Sequence, residues 1–204
     1  MITKDINIKL GFYLIIGFVL FTVIGTVSHE LGHYTAAKLL GYSARINYGY
    51  TYFGHNVDRS DSFIISLCGP LQTMLTGTIG FLLLLYYRKN FFSAQELDLR
   101  QWIIVFVSLF WLREAFNFSH DLLRYLLYND FSSRNDEVRW AQYLGISKWS
   151  LTLPAAIIAS VILAVVVFRF VPFKQRLTFM ISGLIGGFLG FYLWLHLLGP
   201  IVMP

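Results

Sequence analysis

The chain has 204 residues, of which 56% are hydrophobic, 18% aromatic and only 13% charged; its net charge is +5 and its mean hydropathy +0.61. An average soluble domain carries about 25% charged residues, so this composition excludes a water-exposed globular enzyme, a disordered tail and a disulfide scaffold. Cys68 is the single cysteine and has no partner for an intrachain disulfide. The excess of Lys and Arg belongs in loops near anionic headgroups, and no nucleic-acid partner is expected.

A membrane-spanning helix needs about 20 mostly apolar residues. Residues 10–28 carry no charge, and the helical pattern runs on to Leu40 before Gly41 offers an end. The first span is read as a retained helix rather than a signal peptide, because it lacks a compact cleavage site. Residues 63–87 are a second uncharged run. A third opens at Trp102, turns polar after Arg113 and continues to about Tyr128. Residues 151–168 and 177–198 are the fourth and fifth, and Gly183, Gly187 and Gly190 predict close helix packing in the last. The expected fold is an all-α polytopic membrane protein of about five spans, forming one domain over residues 1–204, in the plasma or inner membrane. Counting Lys and Arg in the loops gives eight on the N-terminal side and seven on the other, a margin of one towards a cytoplasmic N-terminus.

Between the first two spans, Ile46, Tyr48, Tyr50 and Tyr52 alternate with Arg45, Asn47, Gly49 and Thr51. That period of two predicts a short strand or hairpin in 44–53. Open strand edges are not tolerated against lipid, so this segment belongs at the interface, under a protein cover, or paired with something else.

His29-Glu30-Leu31-Gly32-His33 is an HExxH sequence at the end of the first apolar run. Residues i and i+4 share one helical face. Two imidazoles so placed can grip one Zn²⁺, and the Glu beside the first can take the proton of a water at the metal. Zinc lowers the pKa of such a water towards about 7. Ionisable side chains next to a membrane span are costly and mark a site.

HELGH on a hydrophobic helix is followed by the small residues Ala36, Ala37 and Gly41, an aromatic strand at 44–53 and Cys68-Gly69-Pro70-Leu71 in the next span. This order resembles the site-2 protease family of intramembrane zinc metallopeptidases, in particular a small divergent branch, over about residues 15–145. The resemblance implies that His29 and His33 ligate zinc, that Glu30 is the catalytic base, and that an Asp from a later segment completes the site. It also implies a transmembrane helix of another protein as substrate.

The third ligand is open on the sequence, because the family's usual Asn-Pro-Asp-Gly or Leu-Asp-Gly ending is missing. Asp121 shares a polar stripe with Arg113, Asn117, His120 and Arg124 at spacings of three and four. Asp136 lies in Ser133-Arg134-Asn135-Asp136-Glu137 ahead of a short helix, as in the divergent branch. Each has a structural alternative: Asp136 in a first helical turn that Ser133 caps, Asp121 in an ion pair with Arg113 or Arg124. Glu114 is expected to pair with Arg113 or Arg124, or to lie near the interface. Asn117 is a candidate donor to an oxyanion or a bridge between helices. His55 is placed near the site mouth or in a plain loop, and His196 in a structural position.

The expected activity is hydrolysis of a peptide bond in or near a transmembrane segment, with the 44–53 strand receiving the unwound substrate as an added strand. Two other readings use the same residues: a zinc hydrolase of a lipid or small amide, and a non-catalytic zinc-binding scaffold. An intact Glu30 argues against the scaffold, since a structural zinc has no need of a base.

Overall fold

The computed structural model describes residues 6–54, 56–131 and 135–204; His55 and Ser133 lie outside them. Among the described residues, five helical segments are long and apolar enough to cross a membrane: Ile8–Leu39, Arg59–Tyr86, Leu99–Tyr128, Trp149–Phe170 and Phe173–Val202. The first is α1 (Ile8–Leu39), followed by a hairpin of β1 (Ala44–Ile46) and β2 (Thr51–Phe53), then α2 (Arg59–Tyr86) and a short α3 (Arg88–Ser93). The third span is α4 (Leu99–Ser108) joined through a 3₁₀ turn to α5 (Leu112–Tyr128). A nine-residue helix, α6 (Asp136–Leu144), precedes α7 (Trp149–Val165), α8 (Phe173–Tyr192) and the terminal turn α9 (Gly199–Val202). The all-α membrane architecture and the small sheet after the first span are as the sequence predicts. Both α7 and α8 pass into a π-helical turn, Val166–Phe170 and Leu193–Leu198, with no signature in the sequence.

Helix α1 packs against α2 and α8, and α2 packs against α4. A Cβ on Gly186 would meet the Ile15 carbonyl and the Phe18 side chain, and one on Gly190 would meet Thr22 and the backbone of Val19. The close approach of α8 to α1 therefore uses Gly186 and Gly190. Gly187, assigned to it from the sequence, faces open space: helical rotation puts Gly186, not its neighbour, on the stripe with Gly183 and Gly190. Around this seam Phe18 lies 4.9 Å from Phe106 and 5.3 Å from Phe179, ring to ring. This apolar cluster, with Leu14, Leu84, Trp102 and Val105, fills the end of the bundle where α1 begins.

At its other end α1 stops where expected. Gly41 takes φ +87°, a conformation L side chains rarely adopt, and the Tyr42 N–H closes back on the Ala37 carbonyl at 2.9 Å. The chain then enters the hairpin, in register Ala44↔Phe53, Arg45↔Tyr52 and Ile46↔Thr51. Tyr48 and Tyr50, read as strand residues from their alternation, sit in the connecting turn. That turn is fastened to the last span: Trp194 Nε1 donates to the Tyr48 carbonyl at 2.7 Å, and the Tyr48 N–H donates to the Met203 carbonyl at 3.1 Å. The hairpin is thus anchored to the last span at its turn, while its strands stay partly exposed.

Helix α6 is held on α2. Its Trp140 Nε1 donates to Ser66 Oγ at 3.0 Å, and Tyr143 stacks on Phe63 with centroids 4.3 Å apart. Val138 and Ala141 face inward, fully buried. Gly145, with φ +68°, ends the helix.

Candidate metal centre

His29, Glu30 and His33 are the buried polar residues of α1, at 1%, 5% and 7% exposure. Their ligand atoms all lie within 4.8 Å of one another, and together they could hold a metal ion. One turn of helix brings His29 Nε2 and His33 Nε2 to 3.1 Å. Both rings are turned by bonds to α2. His29 Nδ1 meets Thr73 Oγ1 at 3.0 Å, and His33 Nδ1 meets the Ile65 carbonyl at 2.7 Å. A partner on one ring nitrogen fixes the tautomer and presents the other nitrogen as a ligand. Pro70 lies inside α2 and lacks an N–H, so the Ser66 carbonyl, next along the helix from that of Ile65, loses its backbone donor there. The helices touch here: a Cβ on Gly32 would overlap the Cys68 carbonyl, and one on Gly69 would overlap the His33 imidazole. The Cys68-Gly69-Pro70 run therefore supplies a surface flat enough for an imidazole to lie on.

Asp136, the first residue of α6, completes a triangle. Its Oδ2 is 3.2 Å from His29 Nε2 and 3.3 Å from His33 Nε2. A tetrahedral ion with bonds of about 2.0–2.2 Å holds its ligand atoms about 3.3–3.6 Å apart; the sides of 3.1–3.3 Å lie at or just below that range, and this donor set could hold a metal ion after a slight opening. Burial pushes the Asp136 carboxyl up, but the two imidazoles outweigh it and hold it well below the usual carboxylate range. Arg139 stands 3.9 Å from the other oxygen.

Asp121 occupies a different place. It is fully buried on α5, and its Oδ2 accepts from Asn135 Nδ2 at 2.5 Å. Asn135 is the N-cap of α6, yet its side chain makes no cap bond. The amide is committed to Asp121, and the residue after it is Asp136. The two candidate carboxylates are thus neighbours in one chain of contacts, with Asp136 against the imidazoles and Asp121 behind it. Arg124, a proposed partner of Asp121, reaches Asp130 instead at 3.6 Å. The Ser133 cap lies outside the described residues.

Glu30 is tied to the hairpin: Thr51 Oγ1 lies 2.8 Å from the Glu30 carbonyl and 3.0 Å from its Oε2. Among the described residues no hydrogen bond joins Glu114 to the expected arginines, although the Arg113 charge acts on it. Glu114 bonds to the Glu137 carboxyl, and a bond between two carboxyls needs a proton on one of them. Burial raises the Glu137 carboxyl. The Arg113 charge is felt at His29, Glu30 and Glu114, while its Nε has no hydrogen-bond partner among the described residues. Asn117 lines a small cavity with Glu114, Asp121, Asn135, Glu137 and Thr152. No hydrogen bond joins Asn117 to His29, Glu30 or His33 among the described residues, so it stands with the groups behind Asp136.

His120 is more than half exposed, 3.8 Å from Asp121. His196 packs on Tyr192, ring centroids 5.5 Å apart, in a structural position. His55 lies outside the described residues. Sequence reasoning missed Thr51, Thr73 and Glu137. Thr73 follows the Gly-Pro pair by a helical turn, a spacing that could have marked it; Thr51 and Glu137 have no such signal.

No family model matches this chain, and neither a curated protein nor a solved structure does.

Proposed function

We propose that this protein is an intramembrane zinc metalloprotease that hydrolyses a peptide bond in or near a transmembrane segment of another membrane protein. The observation that carries this reading is the triangle of His29 Nε2, His33 Nε2 and Asp136 Oδ2, with sides of 3.1–3.3 Å, beside a glutamate that is not one of its corners. A structural zinc site closes its coordination with four protein ligands, whereas a catalytic one keeps three and an open position. Three donors plus a free base match the second pattern.

His29, His33 and Asp136 would hold the ion, which supplies Lewis acidity and makes water a nucleophile at neutral pH. Glu30 takes the proton of the attacking water and returns it to the leaving nitrogen. Thr73 and the Ile65 carbonyl keep the imidazoles in the ligating tautomer. A helical substrate has its carbonyls in its own hydrogen bonds and must unwind before it is cut. The hairpin beside Glu30 offers backbone groups to pair with the unwound stretch. The resemblance of HELGH, the small residues and the Gly-Pro pair to the site-2 protease family supports the same reading.

The test is elemental analysis of purified protein together with cleavage of a membrane-spanning peptide. The expected result is one zinc per chain, with cleavage abolished and zinc retained in Glu30→Gln. Cleavage by Glu30→Gln at the parent rate would overturn the assignment of the base. Turnover of a lipid ester or small amide, with the peptide left intact, would replace the substrate class.

A further inference from the structure

Thr51 opens β2 and sits opposite Ile46 in the hairpin, yet its hydroxyl points to α1, at 3.0 Å from Glu30 Oε2 and 2.8 Å from the Glu30 carbonyl. A bond to the carbonyl alone would be a fastening of hairpin to helix. The one O–H is shared, and its second acceptor is the carboxylate itself. A hydroxyl that donates to one carboxylate oxygen lowers the basicity of that oxygen and fixes the plane of the group. The other oxygen is then the one turned to receive a proton.

We infer that Thr51 is the positioning residue for the base: it selects Oε1 of Glu30 as the proton acceptor and couples the orientation of Glu30 to the seating of the hairpin. The proposal rests on the hydrolase reading of Glu30. The hairpin is not free to drift, because its turn is bonded through Tyr48 to Trp194 and Met203. Pairing of a substrate strand and alignment of the base therefore meet on one three-residue strand, β2. A strand displaced by a badly paired substrate would withdraw the Thr51 hydroxyl and leave the base misaligned, so hydrolysis would follow correct seating.

The experiment uses the full-length protein, zinc-loaded in detergent, with a fluorogenic membrane-spanning peptide as probe. Thr51→Val keeps the branched shape and removes the hydroxyl; Thr51→Ser keeps the hydroxyl. The expected result is a kcat about 10–100-fold lower in Thr51→Val, with KM and zinc content unchanged, and recovery to within about threefold in Thr51→Ser. A Thr51→Val protein with unchanged kcat, or with its loss confined to KM, overturns the proposal. A second measurement is independent of turnover: the visible absorption of the Co²⁺-substituted protein, which reports the surroundings of the ion. Thr51→Val should shift the bands in the same direction as Glu30→Gln, and Thr51→Ser should leave them in place. Unchanged bands in Thr51→Val while Glu30→Gln shifts them overturn the coupling, whatever the peptide assay gives. Failure of the hydrolase reading shows differently, as a parent protein that binds metal, responds in the Co²⁺ spectrum and cleaves no peptide.

Discussion

Asp136 Oδ2 lies 3.2 Å from His29 Nε2, although 107 residues separate the two in the chain. The contact exists because α6 is docked on α2 through Trp140 and Phe63, and α2 in turn carries the partners of both imidazoles. If Asp136 is the third ligand, Asp136→Ala leaves two donors, and Asp121→Asn leaves all three. Zinc affinity, measured by competition with a chromophoric chelator, should be lost in the first. It should fall by no more than about 10–100-fold in the second, the usual effect of a residue behind a ligand. The reverse ranking would give the ligand role to Asp121.

Thr73 offers a test with less risk to the fold. Thr73→Val is nearly isosteric but cannot bond His29 Nδ1. Zinc affinity is expected to drop about 10–100-fold, while Thr73→Ser holds near the parent value. Equal affinities for Val and Ser would mean that the tautomer of His29 is set elsewhere.

The crossing of α1 and α2 leaves no room at Gly69, where a methyl would overlap the His33 ring. Gly69→Ala should cost about 1–3 kcal/mol through overpacking and lower zinc occupancy at the same time. Gly187→Ala, which faces open space, should do neither. Thermal unfolding in detergent, read beside metal content, distinguishes the two.

The bond between Glu114 and Glu137 predicts unequal effects of two substitutions at one site. Glu137→Gln supplies a donor without a shared proton and should retain near-parental stability. Glu137→Ala strands the buried Glu114 carboxyl and should cost about 1–3 kcal/mol. Equal unfolding midpoints for Gln and Ala would show that this bond does not hold α5 to α6.

Much of the fold is legible in the chain because a bilayer imposes long uncharged runs, and these stand out in 63–87 or 177–198 without any knowledge of neighbours. Gly41 is legible for a similar local reason, its position after an apolar helix. The HELGH face is local too, since one helical turn fixes both imidazoles. The choice between Asp121 and Asp136 is not local: both have polar neighbours and helical spacing, and only the docking of α6 separates them. The same holds for Glu114, whose nearest charge in sequence is Arg113 but whose hydrogen-bond partner is a carboxyl on another helix. Spacing alone gives a stripe without its rotation about the helix axis, so it points to Gly187 where the helices meet at Gly186.

The anchoring of α6 also sets an order of events during biosynthesis. Ribosomes release His29 and His33 long before Asp136 emerges, and Asp136 reaches them only when Trp140 and Tyr143 have found α2. A nascent chain therefore carries an incomplete donor set through most of its insertion. On the proposed reading, the ion can be gripped by all three donors only once α6 has docked.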